Sequence, residues 1–175
     1  MSIIDRIAAA RAAGEVQRFH TVRTIVPETV GEHSFNVVNL ILLMTGGHCS
    51  RSLLIAAIVH DMGEIAVGDV PSPIKKMYPQ EVQDALDRQE EDAIARIYPY
   101  LVGHKQLTEE EAKTLKLADN IDGMLKCRQE IIMGNRTLRQ IGDRYVDYIH
   151  HLTDKWDTHR IFAEEAIHYY RGVLG

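Results

Sequence analysis

Apolar residues recur along most of the chain at the three- and four-residue spacing that is typical of α-helices. The pattern predicts a first helix that Ser2 caps and that Gly14 ends. The apolar stripe of this helix consists of Ile3, Ile4, Ile7 and Ala8. A second helix is predicted to run from a Thr29–Glu32 capping box to about Met44. The residues predicted to face its interior side include Phe35, Val38 and Leu42.

The third predicted helix, residues 50–65, begins with an apolar run and ends among ionisable side chains. The segment from Leu53 to Val59 contains no polar side chain, whereas the next ten residues include His60, Asp61, Glu64 and Asp69. Burying a charge is costly unless a partner or a metal ion compensates it. The pattern therefore indicates either that these side chains turn back to solvent or that they surround a cation.

The remainder of the chain also has a helical pattern. A proline-containing loop, residues 68–79, precedes a charged amphipathic helix, and a Thr108–Glu111 capping box begins a long helix toward Gly134. Further apolar positions at helical spacing are Tyr145, Ile149, Leu152, Trp156, Phe162, Ala166 and Tyr169. No strand alternation and no internal repeat is evident. We expect an all-α, single-domain helical bundle that spans residues 1–175.

Composition and charge exclude several classes of protein. With 175 residues, 45% of them hydrophobic, the chain is long enough to bury one sizeable core. The net charge is −5 and the basic residues are scattered, which argues against a nucleic-acid polymer as partner. Two cysteines, no signal-peptide pattern and apolar runs too short to span a bilayer predict a protein of the reducing cytoplasm with no membrane partner.

Two residues distant from the His60-Asp61 pair strengthen the interpretation as a metal site. His33 lies among apolar residues one turn into the second helix, and Asp119 lies at the edge of the buried stripe of the long helix. Two histidines and two aspartates from three helices form a plausible ligand set for a divalent ion. Taken alone, the His60-Asp61 pair has a structural alternative, in which the histidine is hydrogen-bonded in the core and the aspartate caps a neighbouring group.

Three longer segments resemble a known family. His33, the His60-Asp61 pair and Asp119 follow the order of the H…HD…D signature of the all-helical HD-domain metal-dependent phosphohydrolases. The segments RFHTVRTIVPETVGEHS, HDMGEIAVGDVPSPIKK and ADNIDGMLKC resemble the bacterial 5′-deoxynucleotidase branch of that superfamily and the related short phage dATP triphosphohydrolases. The resemblance covers roughly residues 15–130.

The resemblance implies a role for ten residues. The implied metal ligands are His33, His60, Asp61 and Asp119. The implied catalytic residues are Glu64 and Asp69, and the implied substrate-binding residues are Arg18, Phe19, Pro73 and Lys75. Two alternatives stay open at this point: Glu64 as a solvated helix carboxylate, and Asp69 as a cap of the proline-rich turn. The ion itself is left open among Zn²⁺, Co²⁺, Mn²⁺, Fe²⁺ and Mg²⁺.

The implied activity is hydrolysis of the 5′-phosphoester bond of 2′-deoxyribonucleotides. The substrate is expected to be either a triphosphate, with dATP favoured, or a monophosphate. A non-catalytic metal-stabilised module that senses nucleotides, and an HD hydrolase of another phosphoester, are the alternatives. The expected partners are the deoxynucleotide and further copies of the same chain in a homo-oligomer.

Overall fold

The computed structural model describes residues 1–101, 107–155, 157 and 159–173. The helices within these residues are α1 (Ile3–Gly14), α2 (Val30–Met44), α3 (Arg51–Val59), α4 (Ser72–Lys75), α5 (Gln80–Ile97), α6 (Glu109–Ile132), α7 (Arg139–Lys155) and α8 (Arg160–Arg171). Short 3₁₀ turns occupy Met62–Ile65, Pro99–Leu101 and Arg136–Leu138. The all-α prediction is confirmed, and Trp156 lies outside the described residues.

Three helices begin where local hydrogen bonding predicts. The Ser2 hydroxyl accepts a hydrogen bond from the Asp5 N–H, and the Asp5 carboxylate accepts one from the Ser2 N–H. The Thr29–Glu32 and Thr108–Glu111 pairs make the same reciprocal bonds at the starts of α2 and α6. Each box satisfies two amides that a helix start would otherwise leave without a partner.

The chain forms two compact units. The first comprises Met1–Arg23, Pro27–Phe35 and Ile55–Gln106, and the second comprises Thr24–Val26, Asn36–Leu54 and Leu107–Gly175. The single-domain boundary at 1–175 stays a prediction. No helix in the described part of the chain has the length and apolarity needed to cross a membrane.

In the first unit, α1 and α5 pack against each other and against the 3₁₀ turn Met62–Ile65. A Cβ added at Gly63 would lie 2.6 Å from the backbone oxygen of Glu90, so this turn reaches the α5 backbone only because residue 63 is glycine. Two short strands that the sequence pattern did not predict, β1 (Gln17–Arg18) and β2 (Glu28–Thr29), pair antiparallel with Arg18 opposite Glu28.

Three details of the predicted helices are wrong. The third helix ends at Val59 rather than at residue 65, because the chain leaves the helix at His60 and tightens into the 3₁₀ turn. The stripe of α1 is exposed instead of buried. On α2, Phe35 is 69% exposed and Leu42 is also exposed. The buried face of α2 consists of Val30, His33, Ser34, Val37 and Ile41.

In the second unit, α6 packs against α7 and α8, with two glycines at close approaches. Gly123 lies under the ring of Tyr145, and Gly142 lies under the ring of Tyr170, at distances that leave no room for a Cβ. The Tyr170 hydroxyl donates to the Arg139 carbonyl oxygen or the Asp143 carboxylate. These contacts fix the packing of the three helices.

A buried ion pair on α6 holds residues 24–26 of the same unit. Glu130 is fully buried and accepts hydrogen bonds from the backbone N–H groups of Ile25 (2.7 Å) and Val26 (2.9 Å) and from the Asn135 side chain (2.9 Å). The Lys126 ammonium lies 3.1 Å from the Glu130 carboxylate and also donates to the Val26 carbonyl oxygen. Burial alone would raise the pKa of Glu130, but these donors outweigh it and lower the pKa to about 2.

Candidate metal centre

The exit from α3 orients His60. Its Nδ1 lies 2.9 Å from the carbonyl oxygen of Ala57, one turn earlier. A carbonyl oxygen only accepts, so Nδ1 carries a proton, and Nε2 is the nitrogen that is available to a metal ion. A hydrogen bond of this kind fixes both the tautomer and the ring orientation, as is common for metal-binding histidines.

His33, His60 and Asp61 converge within the first unit. The two Nε2 atoms lie 3.1 Å apart, and each lies 3.4 Å from Oδ2 of Asp61. Ligands about 2.0–2.2 Å from one Zn²⁺ ion are separated from each other by roughly 3–3.5 Å, so this triangle has the dimensions of a metal site. His33 is fully buried on α2, whereas the other two residues are partly accessible.

Glu64, three residues after the ligand Asp61, adds a further ionisable group with a strongly raised pKa. Burial raises the pKa of Glu64, and the carboxylates of Asp61 and Asp69 raise it further, to about 9. Its Oε2 is buried and has no hydrogen-bond partner among the described residues. A divalent cation at the triangle would favour the ionised form of Glu64 and so lower its pKa, which means that the residues present fit a metal ion.

Asp69 is fixed by the segment that follows β1. Its Oδ2 accepts a hydrogen bond from the Phe19 N–H at 3.2 Å and lies 3.8 Å from Nδ1 of His20. Phe19 has a φ of 55°, a left-handed conformation that is unfavourable for a residue with a Cβ. Burial raises the pKa of Asp69, while Arg18 and His20 act in the opposite direction.

The two cations implied for phosphate binding both have carboxylate partners. Arg18 lies 3.1 Å from Glu28. The Lys75 ammonium lies 2.6 Å from Asp87 and 3.1 Å from Glu90. Their positive charges are therefore largely balanced within the first unit.

The other implied residues have varied surroundings. Phe19 is largely buried, with the Arg18 guanidinium 5.7 Å from its ring centre, and Pro73 is exposed on α4. Asp119 belongs to the second unit, where its carboxylate accepts a hydrogen bond from Lys116 at 2.9 Å. Its role as a fourth metal ligand stays a prediction, as do the roles of the substrate-binding residues.

Residue pattern alone did not single out His20. The signal available was its position directly after Arg18 and Phe19 in one of the segments that carry the resemblance. A histidine in such a segment is indistinguishable from a surface histidine until the contact with Asp69, far along the chain, is known.

Comparisons with known proteins agree with the geometry. The sequence model of a family described as 5′-deoxynucleotidase YfbR-like matches residues 7–170. A 5′-deoxynucleotidase of Vibrio vulnificus is 31% identical over 139 residues, which cover 69% of this chain and 71% of that protein. A 5′-deoxynucleotidase of Vibrio cholerae is 28% identical over 148 residues, covering 74% and 76% of the two chains.

Solved structures share the fold at lower identity. An HD-domain phosphohydrolase from Listeria innocua has a TM-score of 0.76 and 20% identity over 98% of this chain and 90% of that chain. The HD phosphohydrolase of cyanophage S-2L, bound to dA and one catalytic Zn²⁺ ion, has a TM-score of 0.60 and 21% identity, covering 99% and 97%. The resemblance predicted from the three segments is confirmed, and the chain belongs to the YfbR-like 5′-deoxynucleotidase family of hydrolases.

Proposed function

We propose that the protein is a divalent-metal-dependent phosphohydrolase that releases phosphate from 2′-deoxyribonucleoside 5′-monophosphates. The observation that carries this proposal is the triangle of His33, His60 and Asp61, with an unpartnered Glu64 oxygen beside it. The proposal is also supported by the names of the bacterial relatives and by the dA and Zn²⁺ bound to the cyanophage protein.

The proposed chemistry distributes distinct tasks among the residues. A divalent ion held by His33, His60 and Asp61, with Asp119 as the predicted further ligand, would polarise a phosphoryl oxygen and lower the pKa of a bound water. Glu64 accepts a proton from the attacking water. Burial and the neighbouring carboxylates raise its pKa, and a cation at the triangle would act in the opposite direction.

Substrate binding falls to the neighbouring segments of the first unit. The Arg18 guanidinium binds the phosphate through its forked donors, while Phe19 packs against the sugar. Pro73 and Lys75 lie on α4, the former as a lining of the base site and the latter as a source of positive charge. Asp69, which Phe19 already contacts, orients groups near the reacting phosphate.

The charge balance favours the monophosphate over the triphosphate. A triphosphate carries more negative charge, which calls for additional cations beyond the α-phosphate. Arg18 and Lys75 are already paired with Glu28 and with Asp87 and Glu90, so little of their charge is left for a longer phosphate chain. The second candidate is the dATP triphosphohydrolase, which the fold match to the dA-bound phage protein supports.

A product-resolved assay separates these candidates. The protein is incubated with each dNMP and dNTP, and with matched ribonucleotides, under Zn²⁺, Co²⁺, Mn²⁺ or Mg²⁺, with a chelator-treated sample as control. We expect inorganic phosphate from the deoxynucleoside monophosphates and little from the ribonucleotides. Tripolyphosphate from dATP without phosphate from dAMP would instead identify the second candidate.

Two further outcomes would contradict hydrolysis of deoxynucleotides. Tight nucleotide binding without product under every metal identifies a sensing module, and turnover confined to other phosphoesters identifies a different HD hydrolase.

The predicted homo-oligomer is measured by light scattering of the purified protein. The predicted cytoplasmic location is measured by cell fractionation.

A further inference from the structure

His20 lies at the accessible side of the carboxylate cluster in the first unit. Its side chain is 47% exposed, and its Nδ1 is 3.8 Å from Oδ2 of Asp69. The same Asp69 oxygen accepts the Phe19 N–H, which holds the carboxylate in place. Asp69 therefore faces a histidine ring while being anchored through the adjacent backbone.

A carboxylate at Nδ1 determines what the rest of the ring can do. It favours a proton on Nδ1 and directs Nε2 away from the carboxylate. Histidine is also the side chain that most readily carries and gives up a proton near neutral pH. The exposed His20 ring can thus present an Nε2–H donor to a bound substrate.

The position of Asp69 relates this ring to the metal centre. The carboxylates of Asp69 and of the metal ligand Asp61 both raise the pKa of Glu64, so Asp69 interacts electrostatically with the same glutamate as the ligand does. Glu64 lies beside the metal ligands, whereas His20 lies on Asp69. The proposed function puts the phosphate on Arg18 and the sugar on Phe19, and His20 directly follows these two residues in the chain.

We propose that His20 is a catalytic residue that donates a proton from Nε2 to the leaving 5′ oxygen of the nucleotide. The inference rests on the proposed function, which it extends by naming the acid. The water oxygen forms a bond to phosphorus, and one water proton passes to Glu64. The bond between phosphorus and the 5′ oxygen breaks, its electron pair stays on that oxygen, and the His20 proton converts the oxygen to a hydroxyl.

Neighbouring cations are poor substitutes for this role. The Arg18 guanidinium stays protonated under all ordinary conditions and lies 3.1 Å from Glu28. Lys75 is held by two carboxylates, which raise its pKa despite the opposing effect of burial. Glu64 is assigned to the attacking water, and we assign the leaving group to His20.

The dependence on leaving group tests the proposal. An alkoxide needs a proton to depart, whereas p-nitrophenolate is a much weaker base and departs without one. The substrates are dAMP, deoxyribose 5-phosphate and p-nitrophenyl phosphate, tested with wild type, His20→Gln and the control His48→Gln. His48 is an exposed histidine of the second unit, and glutamine at position 20 retains a hydrogen-bond donor that cannot transfer a proton.

We expect His20→Gln to lower kcat/KM by about 10²-fold for dAMP and deoxyribose 5-phosphate and by less than about threefold for p-nitrophenyl phosphate. Bound metal, measured by mass spectrometry, should equal that of wild type, and His48→Gln should match wild type throughout. Equal losses on the alkyl and aryl esters, with or without loss of metal, would assign a binding or structural role and overturn the proposal. Unchanged activity on all three would overturn it as well.

The same assay distinguishes a failure of the proposed function. If wild type cleaves deoxyribose 5-phosphate and the aryl ester but no nucleotide, the protein is not a deoxynucleotidase. The ratio of alkyl to aryl hydrolysis in His20→Gln still decides the role of His20 in that case.

Discussion

Glu130 in the second unit is a fully buried glutamate, whereas Glu64 in the first is only partly buried, and the two are in opposite electrostatic situations. Glu130 receives two backbone N–H groups, an amide and an ammonium, and its pKa falls to about 2. Glu64 has one buried oxygen without a hydrogen-bond partner among the described residues, and burial, followed by the carboxylates of Asp61 and Asp69, raises its pKa to about 9. The same type of side chain is therefore held in its ionised form in one place and has its ionised form disfavoured in the other.

The difference shows how the protein separates stability from chemistry. A carboxylate that accepts hydrogen bonds at all its lone pairs is a poor proton acceptor, because a proton on it would break some of those hydrogen bonds. A carboxylate that is short of donors stabilises nothing until a cation or substrate arrives. Each of the following predictions changes one side of this comparison and leaves the other intact.

The largest effect is expected from Asp61→Ala. Losing one of three converging ligands should abolish stoichiometric metal binding and lower kcat/KM by more than about 10³-fold, since metal catalysis contributes several kcal/mol. The free energy of unfolding of the metal-free protein should not fall, because the change removes a repulsive neighbour of Glu64. Metal analysis measures bound metal, steady-state kinetics measure kcat/KM, and urea unfolding measures the stability.

Asp92→Ala serves as the matched control, since Asp92 is an exposed aspartate on α5. Full metal occupancy in Asp61→Ala would remove that residue from the ligand set. A large loss of stability in the metal-free variant would show that the cluster is structural after all.

The second effect is a change in the pH dependence of the free energy of unfolding, which is expected from Glu130→Gln. The pKa of Glu130 is lowered from 4.5 to about 2, so the unfolded state binds more protons in this interval and stability rises with pH. The contribution, about 3 kcal/mol at 1.36 kcal/mol per pKa unit, is present above pH 4.5 and is lost as the pH falls toward 2. Urea unfolding of wild type and Glu130→Gln should show a difference that is constant at pH 5–7 and shrinks below it.

A difference between these two proteins that does not change from pH 5 to pH 3 would contradict the lowered pKa. Bound metal per chain should be the same in both at pH 7, because Glu130 contacts residues of its own unit.

The smallest of the three effects is expected from Glu64→Gln. Removing a group that accepts a proton from water should lower kcat by about 10²-fold while metal binding is retained. The metal-free variant should be no less stable than wild type, in contrast to Glu130→Gln. Near-wild-type turnover would withdraw the assignment of Glu64, and loss of the metal would make it a ligand instead.

Local chemistry explains which parts of the fold could be predicted. The three capping boxes lie within four residues of sequence, so the starts of α1, α2 and α6 follow from side chains that are near neighbours in the chain. The turn that follows α3 packs Gly63 against the backbone of Glu90, a contact that periodicity does not contain. The predicted burial of the α1 stripe is wrong for a similar reason, since residue spacing shows that a helix has an apolar face but not whether another element covers it.

The candidate site was predicted in part. His33, His60 and Asp61 were chosen from their apolar surroundings and from the resemblance, and the structure brings these three together. The pairing of Arg18 and Lys75 with acidic residues was missed, because Glu28, Asp87 and Glu90 resemble ordinary surface charges in the sequence. Lys126 and Glu130 likewise resemble an exposed i, i+4 pair until the amides of residues 25 and 26 are placed beside them.

Anomalous X-ray diffraction from crystals grown with Zn²⁺ or Mn²⁺, collected at the absorption edge of that metal, tests the central claim most directly. The account predicts one strong peak about 2.0–2.3 Å from Nε2 of His33, Nε2 of His60 and a carboxylate oxygen of Asp61, with Asp119 as the further protein ligand. A fully loaded crystal with no peak at those three atoms, or with its strongest peak elsewhere on the chain, would contradict the account.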